Sequence, residues 1–154
     1  MVTIARQQDI PAFLALAAEV EHWFGPMVDE PNFHGALENN VQRGTALIAS
    51  SGSNVLGGLL FGIRRAPTYH VRWLVVSEQG RGRGVGRALL ADAVRRFVQP
   101  PASIEVITFG LGHPAAPAAR AFYERIGFTP AEAVALGPEG GPRQAFRRIV
   151  PPGW

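Results

Sequence analysis

The run Arg81-Gly82-Arg83-Gly84-Val85-Gly86 constrains this chain more than any other segment. It lies between an apolar, strand-like stretch that ends near Val76 and an amphipathic, helix-like stretch that begins at Val85. Three glycines alternate with basic or small residues where a strand must turn into a helix. A turn of that kind exposes consecutive backbone N–H groups, and the new helix adds the positive end of its dipole. Anions, and phosphates above all, are the natural ligand. The strand–turn–helix unit also points to a chain that mixes both kinds of element in one layer structure.

The flanking sequence carries the periodicities such a structure needs. Residues 2–5 read as a short edge strand. Ile10, Phe13, Leu14, Leu16, Ala17 and Val20 recur at helical spacing, which predicts a helix over 9–23, with Asp9 as N-cap ahead of Ile10-Pro11. Phe24-Gly25-Pro26 ends it, and a second helix follows over 31–42, closed by Gly44. Residues 45–50 and 55–63 read as antiparallel strands around the turn Ser51-Gly52-Ser53-Asn54. Gly57-Gly58 in the second of them predicts a bulge or a close backbone approach. Tyr69, Val71, Trp73 and Val75 alternate with His70, Arg72, Leu74 and Val76, and the end of this strand is apolar on both faces, which argues for a central position. Val85, Leu89, Leu90, Ala93, Val94 and Phe97 define a helix that Gln99-Pro100-Pro101 terminates. A strand over 103–109, a helix over 117–125, a Gly/Pro loop over 137–142 and a strand over 144–150 complete the order β-α-α-β-β-β-α-β-α-β. This is an α/β (α+β) sandwich around one sheet, in a single domain over residues 1–154.

Composition removes several chemistries. The 154 residues contain no cysteine, which excludes disulfides, thiolate metal sites and a cysteine nucleophile. Every basic residue is arginine, so Schiff-base chemistry and a P-loop lysine are excluded as well. The net charge is only +3 and the arginines are dispersed, so no nucleic-acid partner is expected. The four histidines have no metal-ligand spacing, and no metal is expected. The apolar stretch over 10–20 is broken by Pro11 and lacks a basic flank and a cleavage site, so it does not read as a signal peptide. No apolar run reaches the roughly 20 residues needed to span a bilayer. A cytoplasmic protein without a membrane partner is the expectation.

The glycine turn itself fits neither common nucleotide fingerprint. A Gly-x-Gly-x-x-Gly frame begun at Gly80 ends on Val85, one begun at Gly82 on Arg87, and one begun at Gly84 on Leu89. What survives is Arg81-x-x-Gly84-x-Gly86 after a strand. With the run from Leu74 to Leu90, this resembles the signature of the GNAT superfamily of acetyl-CoA-dependent N-acetyltransferases, a Gln/Arg-x-x-Gly-x-Gly/Ala loop after the fourth strand. A second segment, Ala119-Arg120-Ala121-Phe122-Tyr123-Glu124-Arg125-Ile126-Gly127-Phe128, resembles the same family's Ala-x-x-x-Tyr-x-x-x-Gly-Phe helix and turn. Two departures are visible. Glu78 stands where many relatives carry proline, and Ala116 stands where the family often has asparagine, seven residues before the tyrosine.

The resemblance implies a GNAT-like, mixed and mostly antiparallel central sheet flanked by helices on both faces. It implies acetyl-CoA as cosubstrate, its pyrophosphate cradled by the backbone of Arg81, Gly82, Arg83, Gly84, Val85, Gly86 and Arg87. Main-chain groups of Leu74 and Val76 would pair with the pantetheine arm, and Tyr123 would serve the departing thiolate. The acceptor would be a small-molecule or peptide amine, met by Glu21, His22 and Glu30, with Asp29 and the aromatic run His22-Trp23-Phe24 nearby. His70, on one strand face with Arg72, Leu74 and Val76, is the leading candidate for a base. Glu21, Glu30, Glu105 and His113 are further candidates, and water-relayed deprotonation is the alternative to any single base. Homodimers are common in the family, and the terminal Pro-Pro-Gly-Trp would pack on a partner or on its own domain. A rival reading is a coenzyme A-binding sensor or regulatory module without turnover; hydrolysis, or transfer of another acyl chain, is the third.

Overall fold

The helical and alternating patterns become real elements because each buries one apolar face. The computed structural model describes residues 1–24, 27–136 and 141–152, with residues 22–24 and 64 described by backbone alone. Among the described residues the strands are β1 (Val2–Ile4), β2 (Ala46–Ser51), β3 (Asn54–Arg65), β4 (Thr68–Val76), β5 (Ala102–Phe109), β6 (Thr129–Val134) and β7 (Arg143–Val150). The helices are α1 (Ile10–Phe24), α2 (Pro31–Arg43), α3 (Val85–Phe97) and α4 (Ala116–Arg125), with short 3-10 turns at Gln7–Asp9 and Glu78–Gly80.

The strands form one sheet in the order β1-β2-β3-β4-β5-β7-β6, which makes β4 the middle strand. Pairs β1–β2, β2–β3, β5–β7 and β6–β7 are antiparallel, whereas β4–β5 is parallel. The chain divides into two compact units, one of residues 1–62 with 72–98 and the other of residues 63–71 with 99–154.

In the first unit the Gly57-Gly58 pair explains how helices reach both faces of β3. A Cβ on Gly57 would stand 2.9 Å from Val85 Cγ1 and 3.2 Å from Leu89 Cδ1, both on α3. A Cβ on Gly58 would stand 2.7 Å from Phe13 Cε1 on α1. Successive strand residues point to opposite faces, so α1 and α3 flank β3 from opposite sides. The register supplies the expected irregularity too. Ala49 pairs with Gly57 but Ser50 pairs with Val55, so Leu56 is left over as a bulge. Phe13, Leu37, Ile48 and Leu60 are among the buried core residues here.

In the second unit β5 and β7 align over eight residue pairs, from Ala102↔Val150 to Phe109↔Arg143. Ile104, Val106, Phe146 and Val150 share one buried face. Helix α4 packs beside β5 and β6, and Tyr123 and Phe128 contribute to the same apolar interior.

Two sequence expectations need correction. The strand β6 escapes the pattern reading because Thr129-Pro130-Ala131-Glu132-Ala133-Val134 has little hydrophobic alternation. It is an edge strand, largely exposed, where a proline is tolerated because one side needs no ladder bond. Asp9 does not cap α1: its carboxylate accepts the N–H of Arg6 at 2.8 Å and closes the preceding 3-10 turn. Of the predicted loop over 137–142, residues 137–140 lie outside the described residues, as do Gly25 and Pro26 and the terminal Gly153-Trp154.

Candidate active site

The glycine turn is held from below by the bulge in β3. Freed from the β2 ladder, Leu56 offers its carbonyl to the N–H of Ser77 at 2.9 Å. Ser77, itself buried, then receives the N–H of Gly80 on both its carbonyl (3.0 Å) and its hydroxyl oxygen (3.1 Å). This shapes the 3-10 turn and delivers the chain to Gly82 and Gly84, with φ of 74° and 76°. Those left-handed conformations are the reason for glycine, because a side chain there is strained. No heavy atom lies within 4 Å of a Cβ built at either position, so both face open space.

Helix α3 starts at once. Its ladder opens with Ala88 N–H donating to Gly84 O at 3.0 Å, so the amides of Val85 and Gly86 precede the first intrahelical bond. Arg81, Arg83 and Arg87 are exposed around this end, with the Arg83 guanidinium reaching Gln79 O at 3.4 Å. A diphosphate fits such a place: amides without helical acceptors, a positive dipole end, no Cβ in the way, and fixed cations at the rim.

On β4 the parallel ladder with β5 runs from Thr68↔Ser103 to Val71↔Val106 and ends three residues before Leu74. Leu74 and Val76 are half-buried, in the same unit as the glycine turn. Trp73, between Arg72 and Leu74, tilts against Phe13 (6.0 Å between ring centroids) and Phe33 (5.6 Å). Among the described residues its buried Nε1–H has no acceptor.

The corner between α1 and α2 belongs to that unit as well. Glu21 Oε2 accepts two backbone N–H groups, from Met27 at 2.7 Å and Val28 at 2.9 Å, and these hold the carboxyl below its usual range. The imidazole Nε2 of His34 donates to Val28 O. Asp29 and Glu30 are exposed at the start of α2. His22 sits on the helical backbone of α1, and its side chain lies outside the described residues.

The remaining predicted groups lie in the second unit. Tyr123, on α4, is 7% exposed and meets Phe122 and Phe128 edge-on at 5.0 and 5.5 Å. Burial pushes its phenol well above the usual range, so it stays a proton donor. His70 is half-buried on β4, in register with Glu105 of β5. Glu105 is paired to Arg147, whose Nη2 and Nε donate to Oε2 at 2.9 and 3.2 Å. His113 stacks on Phe109 and accepts the N–H of Ala115 on Nδ1 at 3.0 Å. Among the described residues no group of three or more His, Asp or Glu is arranged to hold a metal ion.

Pattern reading missed Ser77, Trp73 and His34. Serine after a strand is a weak cap signal, Trp73 enters the sequence only as part of the alternation from Tyr69 to Val76, and nothing in the spacing around His34 marks it.

The profile of the acetyltransferase (GNAT) domain matches residues 42–130, from the end of α2 to the start of β6. The chain belongs to the GNAT acetyltransferase family. Solved structures share its fold over nearly the whole length. The ribosomal-protein-alanine N-acetyltransferase of Brucella melitensis is 24% identical, with a TM-score of 0.75 over 97% of this chain and 99% of that one. Ard1 of Thermoplasma volcanium is 15% identical, with a TM-score of 0.76 over 97% of each chain. YncA of Salmonella typhimurium, solved with acetyl-CoA, is 19% identical, with a TM-score of 0.71 over 97% and 92%. No curated protein matches the sequence. The family and fold support acetyl transfer from acetyl-CoA, and no helix among the described residues is long and apolar enough to cross a membrane.

Proposed function

We propose that this protein transfers the acetyl group of acetyl-CoA directly to a primary amine, borne by a small molecule or a peptide. The observation that carries the reading is the glycine turn, with its two left-handed glycines facing open space beside the uncapped amides of α3. Backbone N–H groups of Gly82 and of Gly84 to Gly86 hold the diphosphate, while that of Arg83 is turned to Gly80 O, and Arg81, Arg83 and Arg87 add charge at the rim. Leu74 and Val76 offer main-chain groups to the pantetheine arm, on a strand whose ladder with β5 has already ended. When bound, acetyl-CoA supplies an activated thioester carbonyl.

The protein's own part is then to position the amine, exclude water and manage two protons. Tyr123 meets the departing sulfur. A thiol ordinarily titrates near 8.5, and a phenol held above its usual range is a weaker acid than that thiol. Its contribution is therefore a hydrogen bond to the developing thiolate rather than complete proton transfer. His70 takes the proton from the amine, directly or through water. Glu105, already paired to Arg147, and His113, with Nδ1 engaged, are less able to do so.

Calorimetry with acetyl-CoA, followed by thiol release across a panel of amines, tests the reading. Saturable binding and amine-stimulated release are expected. Binding without release by any amine would identify a coenzyme A-binding module instead, and absence of binding would remove the proposal.

A further inference from the structure

Two titratable side chains converge on a single residue between α1 and α2. Glu21 Oε2 takes the N–H of Met27 and the N–H of Val28, and His34 Nε2 donates to the carbonyl of the same Val28. Backbone bonds finish the corner: Glu30 N–H donates to Met27 O at 3.0 Å, and His34 N–H donates to Glu30 O at 3.1 Å. Met27 is buried with Leu16, Ala17, Val20 and Val75, while Val28, Phe33 and Trp73 lie against that same cluster. Trp73 is the chain neighbour of Leu74. The corner is thus seated beside the stretch of β4 that the proposed function gives to the thioester arm.

A corner held only by its backbone would open locally at little expense, as connecting segments do. This one is tied from both sides of Val28 by charged or chargeable groups. We infer that Glu21 and His34 are positioning residues that lock Met27 to Glu30 into the wall the amine meets, and that Glu21 is not the base. Both hydrogen bonds to Glu21 end on one carboxylate oxygen, and they favour its ionised form. A carboxylate stabilised in that way binds a proton poorly, which suits an anchor and handicaps a general base.

The inference rests on the reading that an amine is the acceptor, and the test separates the two. Steady-state kinetics would compare wild type, Glu21→Gln, Glu21→Ala and His34→Ala, with both substrates varied. Gln keeps an oxygen for the two N–H groups, so Glu21→Gln should hold kcat within about threefold, whereas loss of a general base costs about a hundredfold or more. Glu21→Ala and His34→Ala should raise the KM for the amine by about tenfold or more and leave the KM for acetyl-CoA within about twofold, the mark of lost positioning. Amide exchange at Met27 and Val28 should speed up in Glu21→Ala and stay slow in Glu21→Gln.

A collapse of kcat in Glu21→Gln would make Glu21 the base and overturn the inference. An unchanged amine KM in folded Glu21→Ala would overturn it too, because the corner would then not touch the acceptor. Should Glu21→Ala not fold, Glu21→Gln against His34→Ala carries the same comparison. A wild type that turns over no amine overturns the proposed function, and the inference with it; the variant outcomes on an active wild type overturn the inference alone.

Discussion

In the proposed function Gly84 would act without a reactive group. Its φ of 76° places it where a β-branched side chain is a rare outlier, and a Cβ there would project into the open space of the proposed cradle. Gly84→Val should therefore cost about 1–2 kcal/mol in backbone strain and leave a folded protein with acetyl-CoA affinity reduced by tenfold or more, on the order of 1.4 kcal/mol. Unchanged affinity in calorimetry would contradict the cradle. Tyr123 is the opposite case, a single polar atom inside an aromatic cluster. Tyr123→Phe retains the ring contacts with Phe122, Phe128 and Phe146 and removes only the hydroxyl. Turnover should fall by about 100- to 1000-fold, the range for losing one preorganised donor, with acetyl-CoA affinity unchanged. Unaltered single-turnover rates would remove Tyr123 from the chemistry.

At the scale of elements, the bulge in β3 does two jobs. It releases the Leu56 carbonyl to anchor Ser77, and it precedes the glycine pair on which α1 and α3 close from opposite faces. The strand that supports the sheet thereby also aims the turn. Phe13 is fully buried against Gly58 and has little room to yield. Gly58→Ala should lower stability by about 1–3 kcal/mol through overpacking, measured by denaturant unfolding. No loss would mean that α1 can shift outward without disturbing the core.

Across the whole molecule, acid stability should depend in part on two carboxylates in different units. Backbone N–H groups hold Glu21 below its unfolded value of 4.5, and Arg147 does the same for Glu132. A lowered folded pKa means the stabilisation is fully present above about pH 4.5, the unfolded value, and disappears as pH falls through the lower folded values. The unfolding midpoint should decline below pH 4.5, and the double variant Glu21→Gln/Glu132→Gln should decline less steeply over that window. Parallel acid limbs for the two proteins would show that neither carboxylate is linked to folding.

Periodicity by itself determined most of the elements, because burial of one face leaves a 3.6- or 2-residue imprint on the chain. The spacing of Val85, Leu89, Ala93 and Phe97 places α3, and the alternation from Tyr69 to Val76 places β4. Gly82 and Gly84 were legible as a tight turn between strand and helix because the backbone there requires a residue without a Cβ. The edge strand β6 left no imprint, since it buries too little to need one. Asp9 could have capped either the 3-10 turn or α1, and only the folded backbone chose the former. Only tertiary structure could bring Glu21 and His34 onto Val28, or carry the Leu56 carbonyl to Ser77. Hydrogen bonds outside the helix and strand ladders depend on how the chain bends or returns in space, and no periodic pattern records that.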